Sequence, residues 1–350
     1  MILGICTPYR HCEITAAAIR LAEVAISMSV TVRILASGQA DRGVHPSWDG
    51  KVHSTRDDGA YAWARGCDYL AWFSHEPGLV RRGGLVAERA VNCLVLPWHN
   101  LPITDGEHSV FEHYGRIVCP AHCIYTTAVE KIFEDTHPSL TWCPWTSGII
   151  PVKRSGLVGD KLRLYVPMDG STMDETGLFV VRVVTDLLVR HPHLEVTLDC
   201  AKSWPKQPRN ELKDLVQAWG TRLRVIYRTN LVDQISEMHS HDWMYLPAIR
   251  SNFGLMASRA LACHLPVICL DVEPYSELVR SGVNGLLIPC ELGFNHMHAP
   301  AAEPKLVPVV NRLSEALGDR SMAARLRNNN WRRSDDSQML LFWRKEWQLN

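Results

Sequence analysis

The sequence predicts an α/β protein of two doubly wound lobes facing each other across a cleft, with a C-terminal helical tail. Three observations carry that expectation. Short apolar, β-branched runs alternate with longer segments of helical period, the pattern of a parallel sheet covered by helices. The pattern breaks once, at the Gly-, Pro- and Lys-containing stretch SGIIPVKRSGLVGDK (Ser147–Lys161), and then restarts. The chain has 350 residues, more than one typical domain and enough for two. The predicted boundaries are 1–150 for the first lobe, 151–318 for the second and 319–350 for the tail.

In the first lobe ILGICT reads as the opening strand, TAAAIRLAEVAISM as a helix and VTVRILAS as the next strand. Further strands are expected at YLAWFS, CLVLPW, RIVCP and LTWCPW, with helices near Leu79–Ala90 and Ala128–Asp135. Runs this apolar on both faces belong in the middle of a sheet. The second lobe offers six strand candidates, LRLYVP, LEVTLDC, LRVIYR, DWMYLPA, PVICLD and GLLIP. In such sheets ligands bind at the carboxyl ends of the strands.

The tail, MAARLRNNNWRRSDDSQMLLFWRKEWQLN, is helical in character and rich in Arg and Trp. It predicts a terminal helix that packs Trp and Leu against a lobe, with the first lobe the candidate. Arg325, Arg327, Trp331, Arg332 and Arg333 form the one basic, aromatic stretch that favours nucleic acid.

Lys plus Arg and Asp plus Glu both total 37, which excludes a protein-wide positive field of the kind that sequence-independent nucleic-acid binders use. The 46% hydrophobic content suffices for a core in each lobe. The 11 cysteines are scattered through apolar runs, which predicts reduced, buried thiols and a cytoplasmic protein. Cys119 and Cys123 flank His122 but have no companion pair at zinc spacing, so no metal site is expected. The N-terminus MILGICTPYR lacks the pattern of a secretory signal, and no apolar run long enough to cross a membrane occurs.

The segment LPAIRSNFGLMASRALACHLPVICLD, followed by PYSELVRSGVNGLLIP, resembles the second lobe of retaining family-four glycosyltransferases of the GT-B fold. That family has a Pro-Ser-x-x-Glu-Gly-Phe-Gly turn into a helix with a second Glu, then Ala-x-Gly-x-Pro-Val, then Glu-x-x-x-x-Gly-x-x-Gly-Leu-Leu. In the first lobe YLAWFSHEPGL, NCLVLPWHNL and RIVCPAHC resemble its strand-ending segments. The resemblance spans nearly the full length and implies two Rossmann-like lobes, a nucleotide-sugar donor (a UDP-sugar first) held by the second lobe, and an acceptor held by the first. It further implies transfer with retention, without a metal and without an obligatory protein nucleophile.

Carried over residue by residue, the resemblance makes His99 the catalytic candidate, at the family's cleft histidine near the donor sugar. The donor-binding candidates are Arg250, Ser251, Asn252, Phe253, Gly254 and Leu255 in the turn and helix start, with Arg259 two helical turns on. Arg228, after the strand LRVIY, and Glu277, in PYSEL, complete the set. A helix start of this kind offers backbone amides and a positive end to a diphosphate. Arg10, His11 and Glu13 follow the opening strand, where the family has a glycine-rich loop, and are the acceptor-side candidates. Glu13 also suits the positive end of the helix it begins.

The departures are specific. The family's two glutamates fall on Ser251 and Arg259, and an arginine cannot accept hydrogen bonds from a ribose diol. The family's diphosphate-binding Arg and Lys have no counterpart in VPMDGSTMDETG, so Arg250, Arg259 or Arg228 must supply the positive charge. Two alternatives follow: a phage-type enzyme that glycosylates a hydroxylated DNA base, or a degenerate GT-B protein that binds without transfer. The acceptor class, carbohydrate, lipid-linked or nucleic acid, stays open, as does the oligomeric state. No pyridoxal lysine site for a phosphorylase is evident.

Overall fold

A computed structural model of the chain describes residues 1–9, 12–37, 40, 44–48, 51–54, 60–73, 91–96, 111, 114–131, 139–149, 161–168, 170–201, 206–228, 233–249, 251, 253–294, 300–329 and 336–349. The chain divides into two compact units. Unit 1 comprises Met1–Thr146, Phe294–Ala299 and Asp335–Asn350, and unit 2 comprises Ser147–Gly293 and Pro300–Ser334.

Unit 1 runs β1 (Ile2–Thr7), α1 (Glu13–Ser27), β2 (Thr31–Ala36), β3 (His53–Ser54), α2 (Ala60–Arg65), β4 (Tyr69–Trp72), β5 (Val91–Val95), β6 (Arg116–Cys119), α3 (His122–Lys131) and β7 (Leu140–Trp142). The sheet order is β3-β2-β1-β4-β5-β6-β7 and every pairing is parallel. The strand order reverses between β1 and β4, which makes the carboxyl end of β1 the topological switch point. The central strands β1 and β4 are buried almost throughout, as their unbroken apolar runs require. The helix expected near Ala128–Asp135 begins earlier, at His122, because Pro120 ends β6 and the chain turns at once into helix. The helix expected near Leu79–Ala90 lies outside the described residues. The two-residue β3 carries no periodic signal and was not legible.

Unit 2 runs β8 (Leu162–Met168), α4 (Gly170–Arg190), β9 (Leu194–Ala201), α5 (Lys206–Trp219), β10 (Leu223–Arg228), α6 (Asp233–Ser240), β11 (Trp243–Leu246), α7 (Leu255–Ala262), β12 (Val267–Leu270), α8 (Tyr275–Leu278) and β13 (Gly285–Ile288). Its parallel order, β10-β9-β8-β11-β12-β13, reverses between β8 and β11. A two-stranded sheet, β14 (Glu291–Phe294) and β15 (Pro300–Glu303), precedes α9 (Leu306–Gly318) and α10 (Arg320–Asn328). The core is an apolar layer on each face of the sheet, with Leu164, Val166, Leu198, Tyr245, Ile268 and Leu286 near its centre.

The tail is shared between the units. In unit 2 the α10 residue Arg327 is buried, where its guanidinium meets Asp242 Oδ1 at 3.0 Å and donates to the His241 carbonyl at 2.8 Å. That placement removes Arg327 from the basic face expected of the tail: its charge is neutralised inside the fold. Arg325 is exposed, and Trp331, Arg332 and Arg333 lie outside the described residues. A last helix, α11 (Ser337–Glu346), belongs to unit 1. Its Met339 and Trp343 are fully buried, and Trp343 packs edge-on against Trp145 and Tyr69. Glu346 Oε1 accepts from Arg116 Nε at 2.9 Å and from Tyr69 Oη at 3.2 Å. A buried apolar face with charged hydrogen bonds at its rim fixes this helix firmly.

All 11 cysteines are free thiols and nine are buried. Burial raises the thiol pKa of Cys67 to about 11 and of Cys200 to about 12, which keeps both protonated at neutral pH. Among the described residues no helix is long and apolar enough to cross a membrane.

Candidate functional site

The donor candidates cluster at the switch point of unit 2. The carboxyl end of β11 leads through Pro247 to Gly254 into α7, beside β8 in the sheet. Gly254 takes φ +65°, ψ 18°, the left-handed region that glycine enters without penalty, and it is the N-cap of α7. A second constraint acts on the same atom: a Cβ there would lie 2.4 Å from Leu278 Cδ1 and 3.5 Å from Pro274 Cγ. The turn thus packs directly on the α8 segment, which bears Glu277.

Ser251, in place of the first family glutamate, is 7% exposed, and its Oγ accepts from the Gly254 amide at 3.0 Å. It closes the turn. Phe253 and Leu255, 4% and 2% exposed, hold the turn down from either side of Gly254. Gly254, as the N-cap of α7, has no side chain to cap it with, and the first helical bond runs from the Ser258 amide to the Gly254 carbonyl at 2.9 Å. Among the described residues the side chains of Ser251, Phe253 and Leu255 shape the turn.

Arg259, in place of the second glutamate, is half-buried and donates from Nη1 to Gln234 Oε1 at 3.2 Å. Gln234, on α6, is 7% exposed. The bond ties α7 to α6 and fixes the guanidinium stem. Arg259 also opposes the burial that raises the Cys263 thiol to about 11.

Glu277 lies in the first turn of α8 and is exposed. Asn284 anchors the chain behind it: Oδ1 accepts from the Arg280 amide at 2.7 Å, and Nδ2 donates to the Leu278 carbonyl at 3.0 Å. Gly285 must lack a side chain, because a Cβ would sit 2.2 Å from the Val267 carbonyl oxygen of the neighbouring strand. These contacts explain the SGVNGLLIP sequence as the clamp behind α8.

Other buried polar residues of unit 2 escaped the sequence reading; Asp199 lies near the carboxyl end of β9, while His241 lies just before β11, at the opposite end of the sheet. Asp199, 4% exposed near the end of β9, accepts a hydrogen bond from Tyr165 Oη. His241 Nε2 is 2.9 Å from Thr197 Oγ1, and its Nδ1 is 2.6 Å from the Glu237 carbonyl. Desolvation holds the His241 pKa below its usual value, against the raising effect of Glu237. The signal in the sequence was a polar residue at a pleat position in LEVTLDC, visible but without a partner to pair it with.

At the switch point of unit 1, β1 leads through Pro8 and Tyr9 toward α1. Glu13 is the first residue of α1; the N-cap is Cys12, whose side chain makes no capping bond and whose Sγ is 3.4 Å from Thr15 Oγ1. Glu13 therefore acts on the helix end through charge and does not cap it. Arg10, His11, His99, Arg250 and Asn252 lie outside the described residues, as does the side chain of Arg228.

Residues 173–294 match the family described as glycosyl transferases group 1. A comparison with curated protein sequences finds no match. Among solved structures the chain is similar to HepE from Anabaena in a complex with UDP and glucose, at 13% identity over 100% of this chain and 99% of that one, with a TM-score of 0.71. It is similar to sucrose-phosphate synthase from Thermosynechococcus elongatus, at 14% identity over 100% of both chains and a TM-score of 0.67. A glycosyltransferase from Rickettsia africae gives 12% identity over 100% and 98%, with a TM-score of 0.67. The fold is GT-B, two Rossmann-like units each with a parallel sheet.

Proposed function

We propose that the protein is a glycosyltransferase that takes a nucleotide sugar, a UDP-sugar first, and passes its hexose to an acceptor hydroxyl. The observation that carries this reading is the turn from Ser251 to Gly254: a glycine-capped helix start at the switch point of unit 2, inside the segment that matches glycosyl transferases group 1. HepE's complex with UDP and glucose supports the choice of donor.

In this reading the backbone at the start of α7 meets the diphosphate, and the positive helix end stabilises the charge that builds on the departing phosphate. Arg250 adds the cation that the stretch VPMDGSTMDETG lacks, with Arg228 its counterpart at the end of β10. Glu277, exposed on α8, is the acceptor for donor hydroxyls that Arg259 cannot provide. His99 takes the catalytic role in this reading, and Arg10, His11 and Glu13 belong to the acceptor side. Transfer proceeds with retention and without a metal, in the cytoplasm.

A specific observation favours a second reading, a binding protein without transferase activity. Both glutamate positions of the family hold residues engaged in structure, Ser251 with the turn and Arg259 with Gln234. The two readings separate on donor hydrolysis. A transferase incubated with UDP-glucose and no acceptor releases UDP slowly, and Arg250→Ala slows that release; no release from any nucleotide sugar selects the binding protein.

A further inference from the structure

Trp142 is the last residue of β7 and is 39% exposed; it is the one tryptophan among the described residues with so much of its surface open. Trp63, Trp72, Trp145, Trp343 and Trp347 of the same unit are all buried. Burying an indole removes a large apolar area from water, so leaving one in solvent gives up stability that these five collect. The register places its backbone beside Cys119, the last residue of β6, so both strands deliver their next residues to the same end of the sheet.

His122, the exposed first residue of α3, stands edge-on to Trp142, with ring centroids 5.4 Å apart and planes at 88°. Tyr125, one helical turn on, lies 6.3 Å from the His122 ring and is half-buried. The edge-on contact holds the indole in one orientation without covering it. The result is an ordered aromatic surface whose polar atoms are an imidazole and a phenol.

We propose that this surface binds a neutral saccharide, the acceptor of the transfer reaction; the assignment of an acceptor role rests on the glycosyltransferase reading above. A pyranose presents a ring of C–H bonds on one face and hydroxyls around its edge. The indole takes the apolar face, and His122 and Tyr125 meet the hydroxyls with groups that both donate and accept. Charge decides against nucleic acid. In the strand LTW and the helix HCIYTTAVEK the one cation is Lys131, at the end of α3 opposite His122, whereas a stacked base brings phosphates that need cations beside it.

The test measures binding of the full chain, in the presence of UDP, to a printed array of neutral oligosaccharides, with acidic glycans and single-stranded oligonucleotides on the same array. Trp142→Ala and Trp142→Phe are compared after circular dichroism establishes that each is folded. The inference predicts binding to neutral glycans that falls about tenfold or more in Trp142→Ala, the loss expected of an aromatic anchor, and is largely kept in Trp142→Phe. Neutral-glycan binding unchanged in Trp142→Ala overturns it. So does wild-type binding confined to acidic glycans or oligonucleotides, or binding to nothing on the array. Stabilisation of the wild-type protein by UDP is read separately. Its absence sinks the glycosyltransferase reading, while UDP stabilisation without neutral-glycan binding sinks this inference alone.

Discussion

Gly254 and Leu278 meet so closely that a single added carbon at Gly254 would lie 2.4 Å from Leu278 Cδ1. Through that contact the helix start of α7 and the segment bearing Glu277 form one rigid piece. Gly254→Ala should lose about 1–2 kcal/mol from the left-handed backbone alone, with a further cost for displacing Leu278. Gly254→Ala combined with Leu278→Ala removes the overlap but keeps the backbone cost. Urea unfolding of both variants checks this: a Gly254→Ala as stable as wild type contradicts the geometry.

Arg250 precedes the turn. If its guanidinium meets the diphosphate, Arg250→Ala weakens UDP binding by about 1.5–3 kcal/mol, the range for a charged hydrogen bond, with little effect on stability. Calorimetric titration with UDP measures it. Unchanged affinity removes Arg250 from the site.

Arg259 is tied to Gln234, so restoring the family's acid at this position does not restore the family's site. Arg259→Glu leaves Gln234 without this donor and brings a carboxylate toward the helix start, so UDP affinity should stay the same or fall. A gain in affinity would show that Arg259 merely blocks an otherwise intact ribose pocket.

His241 is buried with its pKa held below 6.5, chiefly by desolvation. The folded state therefore favours the neutral ring. The contribution is fully present above the unfolded value of about 6.5, and it is lost as pH falls from there through the lower folded value. His241→Gln should flatten the fall in urea midpoint between neutral and mildly acidic pH. An equally steep fall in the variant assigns the sensitivity elsewhere, with His191, also lowered by burial, the next group to examine.

Asp242 and Arg327 form an ion pair with side chains 6% and 5% exposed, and Asp242 Oδ2 also accepts from the Arg163 amide at 2.8 Å. Removing one partner strands a buried charge, so Asp242→Ala should cost about 3–5 kcal/mol. Thermal unfolding reports the loss, and a variant within error of wild type would place α10 outside the folded core of unit 2.

The sheets were legible because their strands are short apolar runs, and a parallel strand buried on both faces can be little else. LRLYVP, LEVTLDC and PVICLD each appear as strands within a residue or two of their expected limits. Strands β14, β15 and β3 were not legible, since ELGF and PAAE lack the unbroken apolar run of a buried strand and HS is only two residues long. Within the site, Gly254 was legible from its place before a helix, but its contact with Leu278 joins residues 24 apart in sequence and needed the fold. The side-chain partners of Ser251 and Arg259 were equally invisible: the resemblance implied acids at both positions, and the structure shows what the residues present there hold.

The central claim is that unit 2 binds a nucleoside diphosphate at the start of α7. Thermal unfolding of the full chain against a panel of nucleoside diphosphates and nucleotide sugars tests it most directly. A ligand bound only by the folded state adds about 2.7 kcal/mol at a hundred times its Kd. The account predicts a rise in Tm with UDP and a UDP-sugar, without added metal; no rise with any diphosphate or nucleotide sugar at millimolar concentration would contradict it.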